Sequence, residues 1–384
     1  MLVRIRMTVT AMFGTSLAIV LMLLLIGCTM DTASQQGEPI GNTQQRWQTG
    51  YSQVGGTFEP RMGTVVETFA DSTGVHMVGT STGNRTWYQR VATDGVTVTV
   101  PWAQIPGQNI FFGTTSSPTI VRGKRMLRSR DPYIVFRTVS GSTVEYTTLN
   151  HYLIGDTWSW TGTWTTVPTI PAGMTAPITS TYLNGTGRIY VFFKDVASSL
   201  PHTTYSDDNG ANWSGPYDIG GGTGSYFTAV DHHTDATNHY IELVKRTDDV
   251  PPLLQWNRLL DPAALDSTDW RGWQTIPGTV ISYEQLSSTV EKTYNFCVYA
   301  VELNYRKVWQ NCTTYGQGGD SSTFAANWTQ LPSTFSSYNG SGSSSYCTSN
   351  DSVPDLCPNG STKKYNFITH TTYHDQLWMQ WELK

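Results

Sequence analysis

One five-residue pattern recurs along the chain: a tryptophan, two variable residues, an apolar residue and a proline. It occupies 102–106, 164–168, 273–277 and 328–332, and looser copies start at Trp47 and Trp213. Successive tryptophans of the series are 55, 62, 49, 60 and 55 residues apart. A spacing of this size indicates stacked or radially arranged units, and it suits one four-stranded sheet per unit.

A second aromatic residue precedes the later tryptophans, each time inside a strand-like run. These residues are Tyr88, Tyr146, Tyr205, Trp256 and Trp309. The last unit offers Trp378 and Trp381 but ends before a final copy of the pattern, whereas the chain carries an orphan copy at Trp47. We therefore predict that 47–384 form an all-β fold, a six-bladed β-propeller with a seven-bladed ring as the alternative. The N-terminal strand would close the last blade and leave no open sheet edge.

The composition supports an all-β fold. The chain has 14 Trp and 20 Tyr but only 14% charged residues, and such sequences favour strands and turns over helices. The net charge of −5 argues against a nucleic-acid partner, because phosphates require a basic face.

The N-terminus carries two arginines, Arg4 and Arg6, followed by an uncharged stretch over 7–27. This arrangement is typical of an export signal. Residues 25–28 resemble the lipobox of bacterial lipoproteins, which implies that 1–28 are a signal peptide and that Cys28 is lipidated. The alternative is an uncleaved transmembrane anchor. Either places the chain in the cell envelope, outside the cytoplasm.

Two further features concern the region around the anchor. Thr29, rather than an aspartate, follows the cysteine, which favours the outer membrane or the cell surface. Residues 29–46 are rich in Gln, Thr, Ser and Gly, so we expect a flexible tether.

Four more cysteines form an even set, as expected for disulfides in an oxidising compartment. Cys297 and Cys312 lie in two strand-like runs, and a hairpin centred near 304–305 would place them opposite each other. Cys347 and Cys357 would then close the polar loop between them. The alternative is four free thiols.

Residues 206–213 read Ser-x-Asp-x-Gly-x-x-Trp and resemble the Asp-box of sialidases and related propellers. The resemblance implies a structural hairpin turn. Ser206 and Asp208 would bind turn amides, Gly210 would take a positive φ, and Trp213 would pack between blades. The remaining units look similar to the tandem-repeat propeller lectins of bacteria and fungi.

A sialidase requires three arginines and a tyrosine nucleophile beside a glutamate. Arg61, Arg137 and Arg246 could supply the arginines, and Glu302 with Tyr305 the nucleophile pair. Arg61, however, lacks the Phe/Tyr-Arg-Ile-Pro context of that family.

Two other motifs are better explained as structural. The run 130–136 resembles a strand start in invertase-like hydrolases, but a turn that leads into a blade strand is the simpler interpretation. The His-rich stretch 231–239 has metal-ligand types, yet it is more typical of a solvated turn. We expect no metal and no cofactor.

Aromatic residues outside the repeat positions are the best ligand candidates. Trp158, Trp160 and Trp270 fall in predicted connections between strands, where binding residues concentrate, and Arg61 is a fourth candidate. We predict a surface-anchored, lectin-like protein that binds glycans without catalysis. The alternatives are a sialidase-like glycoside hydrolase and a protein-partner or structural scaffold.

Overall fold

The computed structural model describes residues 50–53, 66–92, 97–108, 117–126, 130–139, 143–172, 178–233, 239–260, 269–278, 286–290, 295–301, 307–314, 323–331, 337–347, 364–372 and 377–383. Residues Arg46–Lys384 belong to one compact unit. Within the described residues, no helix has the length and apolar character needed to cross a lipid bilayer. The export signal, Cys28, the tether and Arg61 lie outside the described residues, so these assignments stay predictions.

The described strands form six antiparallel sheets, numbered here in chain order. A first strand, β1 (Gly50–Gln53), precedes sheet 1. Sheet 1 contains β2 (Glu67–Asp71), β3 (Gly74–Thr80), β4 (Thr86–Val91) and β5 (Val98–Gln104). Sheet 2 contains β6 (Thr119–Arg122), β7 (Arg130–Val139), β8 (Thr143–Tyr152), β9 (Thr157–Trp160) and β10 (Thr165–Thr166). Sheet 3 contains β11 (Thr179–Leu183), β12 (Arg188–Lys194), β13 (Pro201–Ser206) and β14 (Ser214–Asp218).

Sheet 4 contains β15 (Gly224–His233), β16 (His239–Thr247), β17 (Leu254–Leu259) and β18 (Gln274–Thr275). Sheet 5 contains β19 (Ser287–Val290), β20 (Phe296–Val301), β21 (Val308–Thr314), β22 (Thr323–Phe324) and β23 (Thr329–Gln330). Sheet 6 contains β24 (Ser337–Cys347), β25 (Lys364–Thr372) and β26 (Leu377–Leu383), together with β1.

The first strands of the sheets contact one another in a closed circuit. β2 contacts β6, and the circuit continues through β11, β15, β19 and β24 back to β2. Later strands of each sheet lie further out, and β5 is correspondingly exposed at most positions whereas β3 is buried throughout. The protein is therefore an all-β propeller.

The N-terminal strand completes sheet 6. β1 pairs antiparallel with β26, with Gly50 opposite Trp381 and Gln53 opposite Trp378. The predicted closure by an N-terminal strand is confirmed at these residues.

The strands pack through alternating side chains. In β12, Val191 and Phe193 pack against sheet 2, whereas Tyr190 and Phe192 pack against sheet 4. Side chains of a strand alternate between its two faces, so a strand buried on both faces must be apolar at successive positions. This requirement explains the run from Ile189 to Phe193.

One backbone hydrogen bond recurs in five units. The N–H of the apolar residue in the repeat donates to a backbone carbonyl at the start of the third strand of the same unit. The pairs are Ile105 with Thr86, Val167 with Val144, Ile219 with Pro201, Ile276 with Leu254, and Leu331 with Val308. The repeat therefore marks the end of the last strand in each of these units.

The repeated tryptophans tie neighbouring units together. The indole nitrogen of Trp164 lies 3.0 Å from the carbonyl oxygen of Pro106, and that of Trp328 lies 2.9 Å from the same atom of Pro277. Trp273 bonds Gly220 at 2.7 Å. Each of these three indoles therefore donates a hydrogen bond to the unit that precedes its own.

Trp213 is different, because it stands six residues before Ile219 where the others stand three before their apolar residue. Its ring contacts Phe136 and Tyr146 of sheet 2, at centroid distances of 5.8 Å. It belongs to the turn that follows β13, and is not equivalent to the other repeat tryptophans.

That turn has the hydrogen bonds predicted from its sequence. Ser206 Oγ accepts the N–H of Gly210 at 2.8 Å, and Asp208 Oδ1 accepts the N–H of Asn212 at 2.8 Å. Gly210 has a φ of 93°. The Asn209 side chain bonds both the N–H and the carbonyl of Lys124 in sheet 2. The turn therefore fastens sheet 3 to sheet 2.

The predicted hairpin disulfide is confirmed. Cys297 and Cys312 are directly opposite in β20 and β21, and their sulfurs are bonded at 2.05 Å. Cys347 lies in β24, whereas Cys357 lies outside the described residues, so their pairing stays a prediction.

Candidate functional site

The two ends of the ring carry different connections. We call the end at which second strands finish and third strands begin the upper end; in sheet 2 it lies between Val139 and Thr143. The opposite end, where third strands finish, is the lower end; in sheet 2 it lies between Tyr152 and Thr157.

A guanidinium and a carboxylate face each other near the upper end of sheet 2. Arg137 of β7 pairs in register with Glu145 of β8. Arg137 Nε and Nη2 donate to Glu145 Oε2 at 3.1 and 2.7 Å. The Arg137 side chain is 1% exposed and that of Glu145 is 22% exposed. The buried Arg137 therefore fixes the Glu145 side chain, and of the two groups the carboxylate is the one exposed to solvent.

Trp164 covers the guanidinium. Arg137 Cζ lies 4.0 Å from the centroid of the Trp164 ring, which is a favourable cation–π distance. The indole is fixed because its N–H is bonded to Pro106 of the preceding unit. The aromatic ring and the carboxylate are thus positioned by one buried cation.

Sheet 1 completes this arrangement through Gln108. Its Oε1 accepts Arg137 Nη1 at 2.8 Å and the N–H of Thr86 at 2.9 Å. Its Nε2 donates to the carbonyls of Thr86 and Ile105, both at 2.7 Å. Burial lowers the pKa of Arg137, while the bond to Glu145 opposes that shift, and arginine stays charged in proteins.

These contacts leave one oxygen of Glu145 available. Oε1 has no hydrogen-bond partner among the described residues. A fixed acceptor beside an indole suits a ligand with hydroxyl groups and an apolar face, because ligand sites combine aromatic surface with a few placed polar groups. We call Arg137, Glu145, Trp164 and Gln108 the upper site.

The equivalent positions of the other described sheets differ. The register pairs are Gly79 with Trp87, Phe193 with His202, Lys245 with Gln255, and Ala300 with Trp309. Among sheets 1 to 5, sheet 2 alone pairs an arginine with a glutamate at this position.

Lys245 of sheet 4 repeats part of the upper site. Its Nζ lies 4.3 Å from the centroid of Trp273 and donates to the carbonyls of Gly221 and, at 2.8 Å, Gly222. Burial lowers the pKa of Lys245 to about 8. The Lys245 ammonium is thus already bonded to the two carbonyls at 221–222. Gln255 stands where sheet 2 has Glu145.

The aromatic ligand candidates are placed differently from the prediction. Trp158 and Trp160 lie within β9, so their assignment to a connection is wrong. His151 stacks on Trp158 at 4.0 Å, and Arg90 Cζ also lies 4.0 Å from the centroid of that ring. Protein groups thus cover much of Trp158.

Trp160 and Trp270 also make packing contacts. Trp160 meets Tyr88 edge-on at 5.4 Å. Trp270 is 5% exposed and packs with Phe192 in the core between sheets 3 and 4.

The residues considered for catalysis have separate environments. Arg137 belongs to the upper site, whereas Arg246 lies 4.5 Å from the Tyr226 centroid in sheet 4. Glu302 and Tyr305 lie outside the described residues. Asp131 is 2% exposed and is bound at both oxygens by Arg125, at 2.6 and 2.9 Å. Asp131 lies within β7, opposite His151 of β8, so the interpretation of Asp131 as part of a turn that leads into the strand is wrong.

The His-rich stretch also divides between two places. His232 is buried and lies 2.7 Å from Glu242, which in turn binds Arg258. His239 lies 3.4 Å from Asp231. In the part of the chain that the structure describes, no three His, Cys, Asp or Glu side chains are grouped so as to hold a metal ion.

Glu145 was not among the residues predicted from the sequence. The signal for it was a charge on each of two long strands that are separated by three residues. Using that signal requires the register in which β7 and β8 pair, with Arg137 opposite Glu145.

No protein-family model matches the sequence, and no curated protein matches it. Solved structures do resemble the fold. AofleA from Arthrobotrys oligospora has a TM-score of 0.57 at 11% identity, over 87% of this chain and 88% of that chain. A variant of the Aleuria aurantia lectin in complex with alpha-methyl-L-fucoside has a TM-score of 0.51 at 9% identity, over 83% of this chain and 93% of that chain. At these identities the likeness concerns the fold alone.

Proposed function

We propose that this chain is a carbohydrate-binding, lectin-like propeller without catalysis, held in the cell envelope by a lipid on Cys28. The observation that carries the proposal is the upper site, where Arg137 fixes Glu145 while its other oxygen stays open. Carboxylate oxygens accept hydrogen bonds from vicinal hydroxyls, and the indole of Trp164 offers an apolar surface beside them.

The fold supports the same function. The lectin from Aleuria aurantia, whose structure contains alpha-methyl-L-fucoside, shares the propeller architecture. We infer that each of the six sheets is one blade, which gives a six-bladed ring. Support for this count comes from the closed circuit of first strands and from the pairing of β1 with β26. We also assign the turn over 206–213 to the Asp-box type, as a structural feature.

The lipid anchor is proposed from the sequence over 25–28. Metabolic labelling with a fatty acid, followed by extraction into detergent, tests it. The intact protein should carry the label and Cys28→Ser should not. A labelled Cys28→Ser protein would contradict the anchor.

A glycan array on the body from residue 29 onward, run beside a panel of fluorogenic glycosides, tests the function. We expect binding to a subset of glycans without turnover. Turnover of a glycoside would favour a sialidase-like hydrolase, and Arg61→Ala would then test that site. Absence of both activities would favour a protein-partner scaffold.

Glu145→Gln tests the upper site itself. It keeps the size of the side chain but removes the charge, so we expect at least about tenfold weaker glycan binding, since hydrogen bonds to charged groups contribute about 1.5–3 kcal/mol. Asp207→Asn is the matched control, because Asp207 is also paired with an arginine, Arg188, but at the lower end. If Glu145→Gln and Asp207→Asn weaken glycan binding equally, the upper site is not the glycan-binding site.

A further inference from the structure

Exposed apolar side chains are concentrated at the lower end of the ring. Nine large apolar residues are exposed among those described, and six of them are at this end, namely Val98, Met126, Tyr152, Leu153, Ile154 and Leu260. Four belong to sheet 2, and Ile154 is 83% exposed at the tip of the turn between β8 and β9. We call Met126, Tyr152, Leu153 and Ile154 the lower tip.

Strand pairing brings these four residues together. Tyr152 is opposite Arg130 at the start of β7, and Met126 forms a bridge with the same Arg130. Arg130 Nη2 lies 2.6 Å from Met126 Sδ. Met126 and Tyr152 therefore flank Arg130, and Leu153 and Ile154 directly follow Tyr152 in the chain.

Cations surround the patch. Lys124 is exposed, the Arg125 side chain is 43% exposed, and Arg130 is half-buried. The neighbouring carboxylates are Asp131, which is met by both Arg125 and Arg122, and Asp156, which bonds His151. The turn that Asn209 bonds to Lys124 adds Asp207, which is paired with Arg188, and the exposed Asp208. Lys124 and Arg130 have no carboxylate partner in the described part of the chain. The rim therefore keeps a positive excess.

We propose that the lower tip docks onto the surface of a bilayer that contains anionic phospholipid. Exposed aliphatic and aromatic residues gain free energy by entering the headgroup boundary, and lysine and arginine beside them are attracted by anionic lipid. A contiguous apolar patch with a charged rim marks an interaction surface on a soluble body.

The course of the chain points the same way. β26 is the third strand of sheet 6 and runs toward the lower end, as β8 does in sheet 2. β1 is antiparallel to β26, so Gly50 lies at the lower end of its strand. Gly50, the described residue nearest to Cys28 in the sequence, therefore lies at the end that carries the lower tip. The inference depends on the proposed anchor for the presence of a membrane, and it places the upper site on the side facing away.

Co-sedimentation with vesicles tests this docking on the body from residue 29 onward, which includes the whole compact unit Arg46–Lys384. We expect binding to vesicles of equal parts phosphatidylcholine and phosphatidylglycerol, and much less to phosphatidylcholine alone. The double variant Leu153→Ser with Ile154→Ser should weaken binding by about tenfold or more. Lys124→Glu with Arg130→Glu should reduce its dependence on salt.

Val250→Ser is the matched control, because Val250 is 97% exposed at the upper end. It should leave vesicle binding unchanged. No binding to anionic vesicles, or equal loss in the control, would overturn the proposal. So would a concentration-dependent dimer, seen by sedimentation velocity, that the double variant abolishes. The body lacks Cys28 and glycan binding needs no vesicle, so failure here is distinct from failure of the anchor or of the glycan site.

Discussion

The indole nitrogen of Trp328 lies 2.9 Å from the carbonyl oxygen of Pro277 and donates a hydrogen bond to it. Each residue belongs to a different copy of the same sequence pattern, so the ring of one unit is tied to the end of the unit before it.

Trp328→Phe should lower the free energy of unfolding by about 1 kcal/mol beyond the loss of ring area, because it removes this hydrogen bond. Trp213→Phe is the control, since the Trp213 indole nitrogen is buried with no hydrogen-bond partner among the described residues. Denaturant titration of both variants gives the comparison. If Trp213→Phe lowers the free energy of unfolding by as much as Trp328→Phe does, the hydrogen bond of Trp328 does not contribute to the link between the units.

Gly210→Ala should destabilise the protein by about 2 kcal/mol or more, because a methyl group there combines an unfavourable positive φ with a clash. A Cβ at Gly210 would lie 2.8 Å from Tyr146 Cε2. Gly162→Ala should cost only about 1 kcal/mol, since Gly162 has a φ of 73° but no atom within 4 Å of the added Cβ. The difference in thermal stability between the two variants measures how closely the turn over 206–213 packs against Tyr146 of sheet 2. Equal stability of the two variants would contradict this close packing.

Replacing Cys297 and Cys312 by alanine should lower the free energy of unfolding by about 3 kcal/mol, the amount expected for a loop of this length. The two cysteines are 15 residues apart. Thermal denaturation with and without reductant measures the effect. A further loss of stability when the double variant is reduced would indicate a bond between Cys347 and Cys357. If the double variant and the unsubstituted protein have the same denaturation midpoint without reductant, the hairpin disulfide adds no stability.

Lys245 should make stability rise with pH above about 8. Its pKa is about 8 in the folded protein, below the ordinary value of 10.5, because the ammonium is buried. Between those values the unfolded chain binds more protons, so unfolding becomes harder as pH increases. The rise should be of order 1 kcal/mol.

Denaturant titrations across that pH window test the effect. Lys245→Met should abolish the rise, and Lys124→Met, which alters an exposed lysine, should keep it. If the free energy of unfolding of Lys245→Met still increases over this pH range, another titrating group causes the increase.

The architecture could be predicted because its signals are local and repeated. A tryptophan three residues before an apolar residue ends four units, and in three of them its indole bonds to the preceding unit. The pairing of Cys297 with Cys312 could equally be predicted, since two short strands separated by few residues leave few registers.

The upper site could not be predicted, for a physical reason. Arg137 and Glu145 meet only if β7 and β8 pair in one register, and Gln108 reaches them from another sheet. Trp270 does lie in a connection, between β17 and β18, but it is buried and not available to a ligand. It forms a bridge with Leu259, and sequence position alone does not reveal such a bridge.

The pairing of β1 with β26 has a mechanical consequence. Tension between an anchored N-terminus and the body would enter the fold through the four residue pairs from Gly50 to Gln53 before it reached any other strand. The same strand that closes the circle is thus the point at which pulling would open it. With the proposed anchor at one end and a glycan held at the other, these backbone pairs would carry the load.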